Sequence, residues 1–228
     1  MAFSGFSDRT LGFLGDLARH NDTEWFHAHR DDYQADLIEP ARDFVEAMGP
    51  LLVAFAPDVL VEPKIGSSIM RINRDIRFSR DKRPYKDHLD VIFRRGSGKA
   101  GAPGYWFRLR PDGLSLGAGT HVFDKPSLER YRQAVDDPTT GPALVAAIKK
   151  LEKTGYDVGG EHYKRVPTGF EANHPRAQLL RYNGLFTAVE LGIRPELTTS
   201  KLPAFCAAHY RRQTPLLDWL TEAVTSTE

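Results

Sequence analysis

The fold is decided by LDVIFRR (residues 89–95) and, after a glycine-rich loop, by YWFRLR-PDG-LSLGAGT (residues 105–120). Leu89, Val91 and Phe93 fall on alternate positions, as do Tyr105, Phe107 and Leu109. Successive side chains of a strand point to opposite faces, so a period of two reads as strand with one buried face. Pro111-Asp112-Gly113 is a strong turn signal, and Leu114, Leu116 and Ala118 continue beyond it. Three strands with short connections make an antiparallel meander. Ile65, Ser67 and Ile69 form a candidate fourth strand, and residues 185–191 another.

The flanking sequence has helical period. Ser7 is the expected N-cap of a first helix, with Phe6 and Leu11 as its hydrophobic staple and Leu11, Leu14, Leu17 and Ala18 as its buried stripe. Asp22 or Thr23 starts a second helix carrying Trp25, Phe26, His29, Tyr33 and Leu37. Pro40 kinks it or begins a new one, and the pattern runs through Phe44, Met48 and Leu52 until Pro57. Further helices are expected at 126–135, at 142–154 with Gly155 as stop, and briefly at 175–182. Ser200 should cap a last helix, disturbed at Pro215. No repeat or linker appears. The expected fold is one α+β domain over residues 1–228, an antiparallel sheet of three to five strands packed by helices from the N- and C-terminal parts.

Composition bounds the function. The chain is 41% hydrophobic and 27% charged, enough for a real core. Lys and Arg total 31 against 30 Asp and Glu, a net charge of +1. A dedicated DNA-binding domain carries a basic excess, so strong nucleic-acid binding is not expected. The single cysteine, Cys206, allows no intramolecular disulfide and fits a reducing compartment. No signal peptide is visible, and no stretch approaches the roughly 20 apolar residues of a membrane helix. The expected location is the cytoplasm.

Charge is nevertheless concentrated between Arg71 and Lys86, where five Arg and two Lys face only Asp75 and Asp81. Arginine offers a fixed charge and a planar fork of donors suited to phosphate or carboxylate oxygens. The interleaved Ile72, Ile76, Phe78 and Pro84 are expected to be pinned in the core and to hold the arginines in place. Arg71, Arg74, Arg77 and Lys82 would then clamp a small anion, with Tyr85 and Lys86 as further donors and Asp75 or Asp81 orienting the arginines. Were there a reaction, Asp75 or Asp81 is the candidate base and Tyr85 the candidate acid. Two alternatives stay open: an ion-pair network in which the arginines are internally matched, and a weak nucleic-acid interface in which Phe78, Tyr85 or Trp106 stacks on bases.

The string Arg71-x-x-Arg74-Asp75-x-Arg77-Phe78, followed by Asp81-Lys82-x-Pro84-Tyr85-Lys86, resembles the signature of the DUF2461 family. Asn21-Asp22-x-Glu24-Trp25-Phe26 and Tyr163-Lys164-Arg165-Val166-Pro167-Thr168-Gly169-Phe170, with His174-Pro175 after it, fit the same family. The resemblance covers nearly the whole chain. It implies a mostly bacterial protein of about this size and carries over no catalytic role.

Lys164 and Arg165 form a second basic spot, read first as a solvated loop. The loop from Gly96 to Gly101 lacks the Walker spacing, because Phe93 and Ala100 stand where Gly and Ser or Thr are required. His27 and His29 should lie on different sides of a helix, whereas His88 and Asp90 share a strand face. No metal spacing stands out, and neither metal nor cofactor is expected. Cys206, in an apolar run, reads as a small core residue. Trp25, Phe26, Trp106 and Trp219 read as core aromatics.

Overall fold

Ser7 opens the first helix as expected, and the computed structural model describes the chain over residues 2–96 and 101–225. In α1 (Asp8–Arg19) the cap is reciprocal: the Ser7 hydroxyl accepts from the Thr10 N–H, and the Thr10 hydroxyl accepts from the Ser7 N–H. The buried face is Thr10, Phe13, Leu14 and Leu17, rotated from the expected stripe, with Leu11 and Ala18 only half-buried. Thr10 turns inward because its hydroxyl donates to the Asp36 carbonyl at 2.7 Å.

That carbonyl needs a donor because of Pro40. In an α-helix Asp36 would receive the N–H of residue 40, and proline has none. The helical run therefore passes through α2 (Thr23–Ala28) and the single turn α3 (Arg30–Asp32) into a π-helical turn, Tyr33–Ile38, before α4 (Glu39–Val53). Pro40 is neither a simple kink nor a fresh start. It is absorbed by a wider turn, the usual form of π-helix.

The three expected strands appear as β1 (Leu89–Arg94), β2 (Gly104–Arg110) and β3 (Gly113–Thr120). After α5 (Lys125–Asp136) and α6 (Thr140–Glu152) comes β4 (Asp157–Glu161), then the short α7 (Ala177–Leu180) and β5 (Tyr182–Gly192). The five strands form one antiparallel sheet in the order β1-β2-β3-β5-β4. β4 reads DVGGE, which has no alternating apolar pattern, and it pairs through backbone, Val158 opposite Thr187 and Gly159 opposite Phe186. Its Gly160 has φ +130°, and a Cβ there would sit 2.0 Å from the Gly184 carbonyl oxygen. Glycine is required on both counts.

The expected strand at Ile65, Ser67 and Ile69 is instead a tight turn. Gly66 donates to the Ile69 carbonyl at 2.7 Å, and only Ile69 bridges the sheet, opposite Val91. A backbone that bonds to itself across three residues cannot also extend a ladder. A 3-10 turn (Pro195–Thr198) leads to α8 (Leu202–Val224), which runs unbroken through Pro215. That proline removes one ladder bond only, and the adjacent Thr214 hydroxyl donates to the Tyr210 carbonyl at 3.0 Å. Near the start of α8 the Thr199 hydroxyl accepts from the Lys201 N–H at 3.2 Å, the part expected of Ser200.

The chain gathers into two compact units. The first comprises Met1–Phe93, Trp106–Leu116 and Glu190–His209. Its core centres on aromatic rings: Phe107 lies 4.8 Å from Phe44 and 5.8 Å from Phe6, ring centre to ring centre. The second comprises Arg94–Tyr105, Gly117–Val189 and Tyr210–Glu228. Its core includes Tyr131, Leu144, Leu180, Leu185, Leu216 and Leu220. The Tyr131 hydroxyl is satisfied by the Leu179 carbonyl at 3.1 Å. Cys206 is fully buried, and burial pushes its thiol pKa up, away from nucleophile chemistry. Among the described residues no helix is long and apolar enough to cross a membrane. Of the glycine-rich loop, residues 97–100 lie outside the described residues.

Candidate functional site

The Arg-rich segment is a finger with an ordered base, and it belongs wholly to the first unit. At the base Lys86 donates its N–H to the Ile72 carbonyl at 2.8 Å, Arg74 donates to the Pro84 carbonyl at 2.9 Å, and Asn73 bridges Tyr85. Ile72 and Tyr85 are the buried anchors, 5% and 6% exposed. The tip departs from the sequence expectation. Ile76 is half-buried and Phe78 is 96% exposed, its ring 5.9 Å from the Arg77 guanidinium carbon. Only Ile72 of the interleaved large hydrophobics enters the core. Two strands of backbone can anchor the base, but nothing backs the tip.

The tip holds its shape by a device used twice. In Asp75-Ile76-Arg77 the carboxylate accepts from the Arg77 N–H at 3.2 Å and from the Arg77 guanidinium at 2.9 and 2.6 Å. In Asp81-Lys82-Arg83 the carboxylate accepts from the Arg83 N–H at 3.0 Å and from its guanidinium at 2.8 Å. Each aspartate thus closes a local turn and neutralises the arginine two residues on. Hydrogen bonds from Arg83 hold the Asp81 carboxyl well below the usual carboxylate range, and those from Arg77 lower Asp75. Arg74 joins Asp81 at 2.9 Å, and the Lys82 ammonium donates to the Ile76 carbonyl at 3.0 Å.

A second knot lies beyond the base of the finger. Asp90, on β1, receives Arg108 at 2.6 Å, His88 at 3.3 Å and Lys86 at 3.4 Å. His88 also reaches Asp87 at 2.9 Å, and Asp87 faces Arg83 at 3.7 Å. Burial alone would raise the Asp90 pKa, but the bonds from His88 and Arg108 outweigh it and hold the carboxyl well below its usual range. The shared strand face of His88 and Asp90 is therefore a contact between them. Asp87 and Asp90 supply the counter-charge that Asp75 and Asp81 lack in number.

Arg71 behaves differently. It lines a pocket of about 440 Å³ beside the base of the finger, with Phe26, His27, Arg30, Tyr33, Ile65, Ile72, Asn73 and Tyr85. No carboxylate is in that lining. Among the described residues, the side chains of His27, Arg30, Tyr33, Arg71, Asn73 and Tyr85 make no hydrogen bond or ion pair. Phe26 stacks on Tyr85 at 4.1 Å, and burial raises the Tyr33 pKa despite the opposing charge of Arg42. Asn21 closes the back: its amide donates to the Tyr85 carbonyl and accepts from the Tyr85 N–H, both at 3.0 Å.

Of the residues singled out in the sequence, the fold brings Arg71 and Tyr85 to this pocket. It commits Arg74, Arg77, Lys82 and Lys86, with Asp75 and Asp81, to the contacts above. Arg30, Tyr33 and Asn73 carry no functional expectation in the sequence, and His27 enters it only beside His29, without metal spacing. The available signal was that Phe26, Arg30 and Tyr33 recur four and three residues apart, which puts them on one face of a helical run. His29 stacks instead on Trp25 at 4.1 Å. Trp25, Phe26, Trp106 and Trp219 are half-buried and not deep core. Lys164 and Arg165 are exposed.

The second unit has a larger concavity of about 560 Å³, and its lining includes the acids Asp137 and Glu222. Arg130 donates to the Val224 carbonyl and Trp219 to the Thr140 carbonyl, each at 2.8 Å. Among the described residues no group of three or more His, Cys, Asp or Glu is arranged to hold a metal ion.

The fold and this site define a class: an α+β protein with a basic, self-paired finger whose base walls a pocket of unpaired donors. The chain belongs to the DUF2461 family. The family's model, described as a conserved hypothetical protein, matches residues 9–219. No curated protein matches the chain.

Proposed function

We propose that the protein binds a small anionic ligand, phosphorylated or carboxylated, in the pocket lined by Arg30 and Arg71. One observation carries this reading. Arg74, Arg77, Lys82, Arg83, Lys86 and Arg108 are matched by protein carboxylates or carbonyls, whereas Arg30 and Arg71 line a concave surface with no acid in it. Two fixed positive charges without a counter-ion favour an anion from solution. His27 supplies a further hydrogen bond to the anion, and Asn73 and the Tyr33 and Tyr85 hydroxyls remain for the rest of the ligand. The finger is the scaffold that holds Arg71, Ile72 and Asn73 against Tyr85.

Thermal unfolding in phosphate or sulfate, against chloride at equal ionic strength, tests this. An anion bound only by the folded state raises the melting temperature by mass action. Phosphate should stabilise beyond chloride, and Arg71→Ala should abolish the increment without lowering the melting temperature in chloride. Equal stabilisation by chloride and phosphate defeats the proposal.

A further inference from the structure

We infer that the ligand is a phosphate monoester joined to a planar heteroaromatic ring, a molecule of nucleoside monophosphate size; this rests on the anion-binding reading above. The charge comes first. Two guanidinium groups and an imidazole, with no carboxylate among them, suit a dianion better than a single carboxylate. A carboxylate would satisfy one guanidinium fork and leave the other unmatched. A phosphate monoester carries about −1.5 to −2 at neutral pH and has three acceptor oxygens.

The remainder of the lining is unsuited to a bare ion. Phe26, Tyr33, Tyr85, Ile65 and Ile72 are ring or aliphatic surface, and the pocket volume, about 440 Å³, falls in the range that holds whole small molecules. An inorganic phosphate would leave that wall wet. A sugar phosphate has no flat face to set against the Phe26 ring. A flat ring covers it and keeps the phosphate at the arginines, since base stacking on aromatic side chains contributes about 1–3 kcal/mol.

Asn73 adds the third point. Its backbone is held at the base of the finger opposite Tyr85, while its side-chain amide makes no hydrogen bond. That amide offers donor and acceptor side by side, the pattern that pairs with the edge of a nucleobase. The Tyr33 and Tyr85 hydroxyls are then free for the hydroxyls of the connecting sugar.

Isothermal titration of the full chain with inorganic phosphate, ribose 5-phosphate and the four common ribonucleoside monophosphates tests the idea. At least one nucleotide should bind at least about fivefold more tightly than ribose 5-phosphate, the low end of one stacked base. Asn73→Ala should weaken that nucleotide while leaving phosphate and ribose 5-phosphate binding unchanged. Arg71→Ala should abolish all three, with the melting temperature retained as evidence of folding. If ribose 5-phosphate binds as tightly as every nucleotide, the ring is wrong and the anion site stands. If no phosphate compound binds, the anion site falls as well.

Discussion

The side-chain amide of Asn21 lies against the backbone of Tyr85 and bonds it twice, N–H to Oδ1 and Nδ2–H to carbonyl, each at 3.0 Å. These residues are 64 apart in sequence, and the contact joins the approach to α2 to the base of the finger. It satisfies both backbone groups of a residue whose ring is 6% exposed and stacked on Phe26. An asparagine can do this because one side chain presents donor and acceptor in the spacing of a peptide group.

Asn21→Ala should therefore destabilise the protein by about 1–3 kcal/mol, the cost of leaving buried polar groups unsatisfied. Asn21→Asp keeps the acceptor and loses the donor, so its loss should be intermediate. Urea unfolding at neutral pH measures both. A neutral effect of Asn21→Ala would mean that Tyr85 is held by its ring alone.

Asp90→Asn should cost about 3 kcal/mol near neutral pH, because it strips a buried carboxylate from Arg108, His88 and Lys86. The pH dependence has a definite sign. Asp90 has a folded-state pKa below its unfolded value of about 3.9, so its contribution is fully present above that value. It is lost as pH falls further toward the folded pKa. Unfolding curves from pH 7 down to about pH 2 should draw closer together for wild type and Asp90→Asn as pH falls below about 3.9. Parallel curves would show that Asp90 is not the source.

Phe78→Ala should change stability by less than about 0.5 kcal/mol, because the ring is 96% exposed and buries almost nothing. Thermal melts decide this. A loss above 1 kcal/mol, more than a solvent-facing substitution normally costs, would mean that the tip packs in solution.

Gly160→Ala should destabilise by about 2 kcal/mol or more, since φ is +130° and the new Cβ would meet the Gly184 carbonyl oxygen at 2.0 Å. Denaturant titration gives the number. A shift below 0.5 kcal/mol would show that β4 moves readily on β5, against the pairing of Val158 with Thr187.

By itself the sequence determined the meander and most of the helices. Strand period at Leu89, Val91 and Phe93, the turn at Pro111-Asp112-Gly113 and the cap at Ser7 are local signals, readable because backbone geometry sets them within a few residues. It also marked Arg71 and Tyr85. β4 was illegible, since Val158-Gly159-Gly160 has no period and becomes a strand only by pairing with β5. The site was illegible for a related reason. Seven cations in one segment look equivalent, and their difference lies in whether a carboxylate is within reach. Asp75 and Asp81 reach their arginines through turns two residues long, a spacing present in the sequence as a repeated Asp-x-Arg. Asp90 takes Arg108 across the sheet, and Arg71 meets Arg30 and His27 at one pocket through chain folding alone. Charge is a property of residue type, but whether a charge is neutralised depends on distances of a few ångströms, and only the tertiary structure sets those.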